Sequence, residues 1–600
     1  MNIFDERIKK LQRLMIKDDI KAYIIPATDP HMSEEAASLF TAERFYFCSF
    51  KGNDGTLLVT QDNYYLYTDG RYWTAAEEDL KDSECILVYA GKANVPSLSQ
   101  FVKQNNLYPL GMDASLFSYN DLKSFYIDAE HKIKQVSYRH LVEDLPSLPN
   151  GKIWKVDQEL LSTTFSQRVE LLMNEVKNNY AKAIVISTLD DIAYILGYRG
   201  SDIPCTPIFY SYLYIDENSH VYLFIDKNKL PDNFDLDVTV DDYENFYSFL
   251  KERADIATLV DKNTTNARIC SILRNKVFAN NPTIKQKAIK GEKEIKNTKE
   301  IQAIDGVCVL KLMKYIDDNI KTHPLNEYSL AKYLDETRLH AQRCFSLSFE
   351  TIAAVDGNAS MMHYAPSETN HAQVTSDNQI LLVDSGGQYY GGTTDTTRTF
   401  VLTDNLNYDI KHDYTLTLKS QISLSTSIFE KGCSGHEIDI TAREIMWKHG
   451  LDYKCGTGHG VGYMSCVHEG PIGFRYYHRE GVFDDGILTP GHIITIEPGV
   501  YKARKYGIRL ENNLLIIPAM ETEDGIFYKF ETITYVPYDR RAIEVAMLSD
   551  DEISWINEYH KMTYEKLSPL IQDDKELLDY LAKQCEPLTK ADVAKPLMYK

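Results

Sequence analysis

ILLVDSGGQYYGGTTDTTRTFVL, Ile380 to Leu402, is the stretch that decides how the rest of the chain is read. An apolar run ends on Asp384, a glycine-rich turn follows, and a second run carries Asp395 and then Arg398. Adjacent strands joined by a short turn bring two carboxylates toward one place. Alone this says little, because an aspartate that ends a strand is usually a turn former. Three strings downstream change its weight. GTGHGVGYMSCVHEGP, Gly456 to Pro471, surrounds His459 with glycines that leave its imidazole unobstructed, and adds His468 ahead of a Glu-Gly-Pro turn. IITIEPGVY, Ile493 to Tyr501, ends an apolar strand on Glu497. GIRLENN places Glu511 in an alternating strand, with Arg509 two positions earlier on the same face. A glutamate in such a strand is costly unless it is paired or binds metal. Pairing with Arg509 is the structural reading, and metal ligation the functional one.

The set Asp384, Asp395, His459, Glu497 and Glu511 holds four carboxylates and one imidazole. Four carboxylates converging without cations would push each other's pKa strongly upward. Two divalent ions remove the conflict, and oxygen-rich ligation with a single imidazole favours a hard ion such as manganese. Two such ions ~3.5–4 Å apart can hold a bridging hydroxide and polarise a carbonyl.

Outward from these strings the chain reads as α/β (α+β). Its 600 residues exceed one hydrophobic core, so several domains are expected. Loop-like PSLPNGK (Pro146 to Lys152) and the basic stretch Asn280 to Lys296 mark the breaks, which predicts domains at 1–150, 151–295 and 296–600. The first two resemble each other. KAYIIPATD (Lys21 to Asp29) is echoed by KAIVISTLD (Lys182 to Asp190), and FKGNDG (Phe50 to Gly55) by YRGSDI (Tyr198 to Ile203). Each follows an amphipathic helix and leads into further strands. The third domain opens with a long helix whose apolar face is read as Ile301, Ile304, Cys308, Leu312, Tyr315 and Ile316. It closes with a helical extension whose core is read as Ile553, Trp555, Ile556 and Tyr559.

With 87 Asp and Glu against 65 Lys and Arg, the formal charge is −22, a poor footprint for nucleic acid. No apolar run approaches the ~20 residues of a spanning helix, so no membrane partner is expected. Ten scattered cysteines without a CxxC pair, and no secretory h-region at the start, read as a cytoplasmic protein with reduced thiols. Cys455 and Cys466, beside the His459 string, read as packing residues. No GxxxxGK[ST], HExxH or GxSxG string is found.

In order and spacing, with two Asp eleven apart and then His, Glu and Glu, the five residues resemble the pita-bread metallopeptidases: methionine aminopeptidase, prolidase and aminopeptidase P. The strings HYAP (His363 to Pro366), VDSGGQY, GTTDTTRT, GTGHGVG with VHEGP, and GIRLEN are similar to the long, three-domain aminopeptidase P family. Upstream, DGRYW (Asp69 to Trp73) and RGSD (Arg199 to Asp202) are similar too. The resemblance implies two creatinase-N-like α/β domains ahead of a C-terminal pita-bread catalytic domain. It implies two metal ions, with Asp384 on one, His459 on the other, Asp395 and Glu511 bridging, and Glu497 both ligand and proton acceptor. His363 and His468 would line the site, steady the scissile carbonyl and shuttle protons. Tyr501 and Arg509 would shape the pocket around proline. The substrates implied are peptides beginning Xaa-Pro, and the implied assembly is a homodimer.

Two features depart from that pattern: the basic Lys502, Arg504 and Lys505 in KARKYGIRLEN, and a longer segment near His478. Prolidase, which cuts dipeptides only, is the nearest alternative; Glu469 after His468 and the chain length weigh against it. A non-enzymatic pita-bread binding protein is a further alternative, against which the presence of all five ligand positions and both accessory histidines weighs; a metal-free hydrolase like creatinase would not keep the carboxylate set.

Overall fold

The computed structural model describes residues 2–34, 36–128, 131–476 and 486–590. The segment near His478 lies outside them. The chain folds into two compact units, one formed by Met1–Gln158 and Thr163–Gln286, the other by Glu159–Ser162 and Lys287–Lys600.

The first unit contains the duplication. Helix Ile3–Lys17 starts in a capping box of Asn2 and Asp5 and buries Ile8, Leu11 and Met15. Helix Phe165–Asn178 starts in a capping box of Thr164 and Gln167 and buries Val169, Leu172, Met173 and Val176. Each feeds the central strand of a six-stranded sheet. Ala22–Ile25 lies between antiparallel Thr56–Thr60 and parallel Leu110–Met112. Tyr64–Thr68 and Ile86–Tyr89 extend one side and Ile133–Gln135 the other. Ala183–Ile186 repeats this arrangement, between antiparallel Ser211–Ile215 and parallel Thr258–Val260. Val221–Ile225 and Thr239–Asp241 follow on one side and Lys276–Phe278 on the other. Strand order and directions coincide, so the two short echoes in the sequence belong to one topology used twice. Both central strands are buried along their whole length, which is why they read as unbroken apolar runs.

The second unit opens with helix Glu292–Asn319. Of the six residues expected on its core face, Ile301, Cys308, Leu312 and Ile316 are buried, while Ile304 and Tyr315 are only half-buried. The helix is covered on more than one side: Ala303, Gly306, Leu310 and Met313 are buried as well. At Gly306 a Cβ would fall 2.3 Å from the Tyr535 carbonyl oxygen, so backbone passes where a single-stripe reading places solvent. The C-terminal helix Asp550–Leu567 buries Ile553, Ile556 and Tyr559 as expected, and a half-buried Trp555 stacks on Tyr559 at 5.5 Å.

Two sheets carry the candidate site. In one, Ile380–Ser385 runs between Ile352–Val355 and Thr396–Val401, all antiparallel. The other has six strands in the order Ile428–Glu430, Gly525–Thr532, Asn512–Thr522, Ile493–Ile496, Gly458–Gly460 and Glu469–Phe474. A separate hairpin, Gly499–Lys502 with Tyr506–Arg509, joins the second sheet's strands. Among the described residues no helix is long and apolar enough to cross a membrane, and all ten cysteines are free.

Candidate metal centre

Strand register brings the five expected ligands together. Asp384 is paired with Thr397 across the antiparallel ladder, and Asp395 immediately precedes that partner strand. Glu511 is fastened to the same strand: its amide donates to the Thr397 carbonyl at 3.1 Å, and its Oε2 accepts from Thr397 Oγ1 at 2.7 Å. Ile496 pairs with Asn512, so Glu497 and Glu511 leave neighbouring strands side by side. The Glu497 amide donates to the Thr457 carbonyl at 2.8 Å, which ties it to the strand of His459.

At the centre, His459 Nε2 lies 3.4 Å from Asp395 Oδ2 and 3.6 Å from Glu497 Oε1. Ligand atoms of Asp395, His459 and Glu511 lie within 4.8 Å of one another, a spacing that one ion can span. Asp384 completes the acidic wall, and its buried Oδ1 has no hydrogen-bond partner among the described residues. Its Oδ2 accepts from Arg509 Nη2 at 2.5 Å. Arg509 therefore pairs with Asp384, not with Glu511 as the same-face reading had it. Thr397 Oγ1 accepts from Arg509 Nε at 3.1 Å while donating to Glu511, so it stands between the two.

Burial, and then the other carboxylates, drive Glu511 well above the usual glutamate range. Asp384 and Glu497 are also pushed up, chiefly by burial; Asp395 adds to the push, and Arg509 opposes it in both. One guanidinium does not balance four acids packed this closely. A buried acceptor without a donor, and carboxyls forced upward together, are what divalent cations relieve. The donor set fits such ions.

The accessory residues surround this cluster. His468 is exposed, and its ring stands 4.2 Å from that of His459, edge to face at 84°. His363 is exposed in the loop after the 3-10 turn Asp356–Ser360, and the carbonyl of its neighbour Met362 accepts from Arg509 Nη2 at 3.4 Å. Tyr501 OH accepts from Arg509 Nη1 at 2.8 Å, across the rungs of their shared hairpin. The basic departure has a structural cause: Lys502 Nζ lies 2.6 Å from the buried Asp413 carboxylate, which also accepts from Tyr506 OH at 2.7 Å. The pair pins the hairpin of Tyr501 and Arg509 to helix Tyr408–Ser425. Arg504 and Lys505 sit exposed at the turn.

Some supporting residues escaped the sequence reading. Asn513 Nδ2 donates to the Asp395 carbonyl at 2.6 Å, and Lys290 forms a buried ion pair with Glu469, the residue after His468. Asn513 ends the quoted GIRLENN string, where a second consecutive asparagine ahead of the apolar run Leu514 to Ile517 is the available signal. Lys290 lay in a stretch whose charge reads as linker, and no local pattern gives its partner.

Comparison with known proteins agrees with this architecture. Residues 296–518 match metallopeptidase family M24, and 526–588 match the C-terminal region of that peptidase family. Residues 7–145 and 144–294 each match a creatinase/prolidase N-terminal domain. The chain is 33% identical to Xaa-Pro aminopeptidase 1 of Dictyostelium discoideum, over 97% of this chain and 96% of that protein. It is 32% identical to a probable Xaa-Pro aminopeptidase P of Laccaria bicolor, over 97% and 93% respectively. Among solved structures it superposes on X-prolyl aminopeptidase from Caenorhabditis elegans, described as a cytosolic enzyme with a di-nuclear active site. That match has a TM-score of 0.91 at 28% identity, covering 98% of this chain and 99% of the other. Creatinase-like domains ahead of a pita-bread domain, the expected fold class, are what these matches carry. The chain belongs to metallopeptidase family M24, with the Xaa-Pro aminopeptidases.

Proposed function

We propose that this chain is a dinuclear metal-dependent aminopeptidase that removes the first residue of peptides whose second residue is proline. The observation that carries the reading is the convergence of Asp384, Asp395, His459, Glu497 and Glu511, in a chain matched end to end by Xaa-Pro aminopeptidases. These five would hold two divalent ions. Four carboxylates with one imidazole suit a hard ion, and manganese is our assignment. When bound, such ions supply Lewis acidity and neutralise the negative charge that develops during attack on a carbonyl.

The chain's own groups do the rest. The Glu497 carboxylate takes the proton of the attacking water and delivers it to the leaving prolyl nitrogen, general acid–base work typically worth ~10²–10⁴-fold. His468, edge-on to His459, and His363 donate to the scissile carbonyl oxygen as it gains charge. Tyr501 and Arg509 form the wall on the proline side, and Arg509 also holds Asp384 in place. Proline's fixed ring makes a tertiary amide that lacks an N–H, so a shaped wall replaces the backbone pairing other peptidases use. We also infer a homodimer and a cytoplasmic location; the cytosolic C. elegans enzyme supports the second.

Hydrolysis of Arg-Pro-Pro beside Arg-Pro, by chelator-treated protein given manganese, tests the reading. Metal-dependent release of arginine from the tripeptide is expected. Cleavage of the dipeptide alone would make the chain a prolidase, and no cleavage with metal bound would make it a binding protein.

A further inference from the structure

Arg398 is fully buried and lies on the strand that follows Asp395, yet it points away from the carboxylates and contacts the C-terminal helix. Its Nη1 donates to the carbonyls of Glu511 at 2.6 Å and Thr397 at 2.9 Å. Its Nη2 donates to Asn512 Oδ1 at 2.8 Å, to the Val536 carbonyl at 2.9 Å and to Tyr559 OH at 2.7 Å. The guanidinium also lies over the Tyr538 ring, 4.6 Å from its centre. One side chain thus grips the backbone of two site strands at Thr397 and Glu511 and fastens both to helix Asp550–Leu567.

Tyr559 closes the arrangement. It is buried, stacked on Trp555, and its hydroxyl donates onward to the Val536 carbonyl at 2.8 Å, with the Thr534 carbonyl at 3.1 Å. Arg398 is the side chain that bonds both this helix, at Tyr559, and the Glu511 and Thr397 carbonyls. Metal ligands need positions held to a few tenths of an ångström, and groups that orient them commonly change affinity when altered.

We propose that the C-terminal helix is a working part of the metal centre: Tyr559, acting through Arg398, sets the separation of Asp395 and Glu511 and so the affinity for the metal pair. Arg398 and Tyr559 are positioning residues. The proposal rests on the dinuclear reading above and gives the helical extension a task beyond covering apolar surface.

The test is calorimetric titration of manganese into the chelator-stripped full chain, with thermal unfolding of each metal-free protein alongside. The variants are Tyr559→Phe, which keeps the ring stack, and Arg398→Lys, which keeps the charge. Wild type should take up two ions per chain. Arg398→Lys should bind them about 10–100-fold more weakly, the span seen for outer partners of metal ligands, and Tyr559→Phe, one contact further out, about 3–10-fold more weakly, below that span. Weakened binding in Tyr559→Phe with an unchanged metal-free melting temperature would support positioning. A lowered melting temperature with wild-type manganese affinity in Tyr559→Phe would reduce the tyrosine to a packing residue and overturn the proposal, as would wild-type affinity in both variants. Failure of wild type to bind manganese would overturn this proposal and the dinuclear reading together.

Discussion

Two buried polar clusters, one in each compact unit, show how a structural cluster differs from a functional one. In the first unit Asp29 and His31 are both fully buried. Asp29 Oδ1 accepts from the amides of His31 at 2.9 Å and Ser33 at 3.0 Å, and Oδ2 accepts from Tyr210 OH at 2.8 Å. His31 Nδ1 meets the Ser187 carbonyl at 2.6 Å, so that nitrogen carries the proton, and Nε2 accepts from Tyr243 OH at 2.8 Å. Each atom has its partner, and the contacts join the first repeat to the second. In the second unit Glu511 is as deeply buried, Asp384 and Glu497 are half-buried, one carboxylate oxygen has no donor among the described residues, and the acids press on one another. The satisfied cluster behaves as a rivet. The unsatisfied one carries a conflict that bound cations would relieve.

That contrast can be broken by experiment. Glu497→Ala should produce the largest effect, abolishing Arg-Pro-Pro turnover while circular dichroism and unfolding stay near wild type; full activity would remove Glu497 from the chemistry. Asp384→Ala should lower bound metal below two ions per chain by elemental analysis. His468→Ala should lower kcat by about 10²–10⁴-fold, the span for acid–base groups, with the metal content unchanged. Tyr243→Phe should do nothing to metal content and should lower stability by about 1–3 kcal/mol, the cost of leaving buried His31 Nε2 without a donor, read by urea unfolding.

An effect of similar size sharpens the comparison through pH. Burial holds His31 down to about 4 from an ordinary 6.5, with Lys229 lowering it further while Asp29 and the Ser187 carbonyl oppose; Tyr210, Tyr212 and Tyr243 line the rest of its surroundings. The unfolded chain therefore binds a proton between pH 6.5 and 4 that the folded chain refuses. The stability this histidine contributes is intact above pH 6.5 and declines as pH falls toward 4, by up to about 3 kcal/mol at the limit. Urea unfolding of His31→Phe should show a shallower loss between pH 7 and 4.5 than wild type. An equal slope would move the sensitivity to other groups, His492 and His560 first, since burial pushes both down to about 3.

The convergence of the five candidate residues was legible because strands and glycine turns constrain it locally: each acid ends or interrupts an apolar run, and the residue spacing carries the family resemblance. The duplicated α/β topology was legible from two short echoes, because a buried central strand has few alternatives to an unbroken apolar run. Pairings across the fold were not. Pairing of Arg509 with Glu511, two residues away, is one of the two readings the sequence offers, but a long guanidinium reaches another strand as readily as its own, and Thr397 occupies the intervening position. Lys290 reads as part of a linker and Lys502 as a departure from the family pattern, and both meet acids distant in sequence. The helix Glu292–Asn319 read as a single apolar stripe, yet small residues on its other faces admit backbone contacts that hydropathy does not encode.

The central claim is that the unsatisfied cluster binds a metal pair and that the pair makes the chain a peptidase. Manganese titrated into stripped protein while arginine release from Arg-Pro-Pro is followed tests this most directly. The account predicts no release without metal, a rise that levels off at two ions per chain, and no such rise in Asp384→Ala. Full release from metal-free protein, or two bound ions with no release, would contradict it.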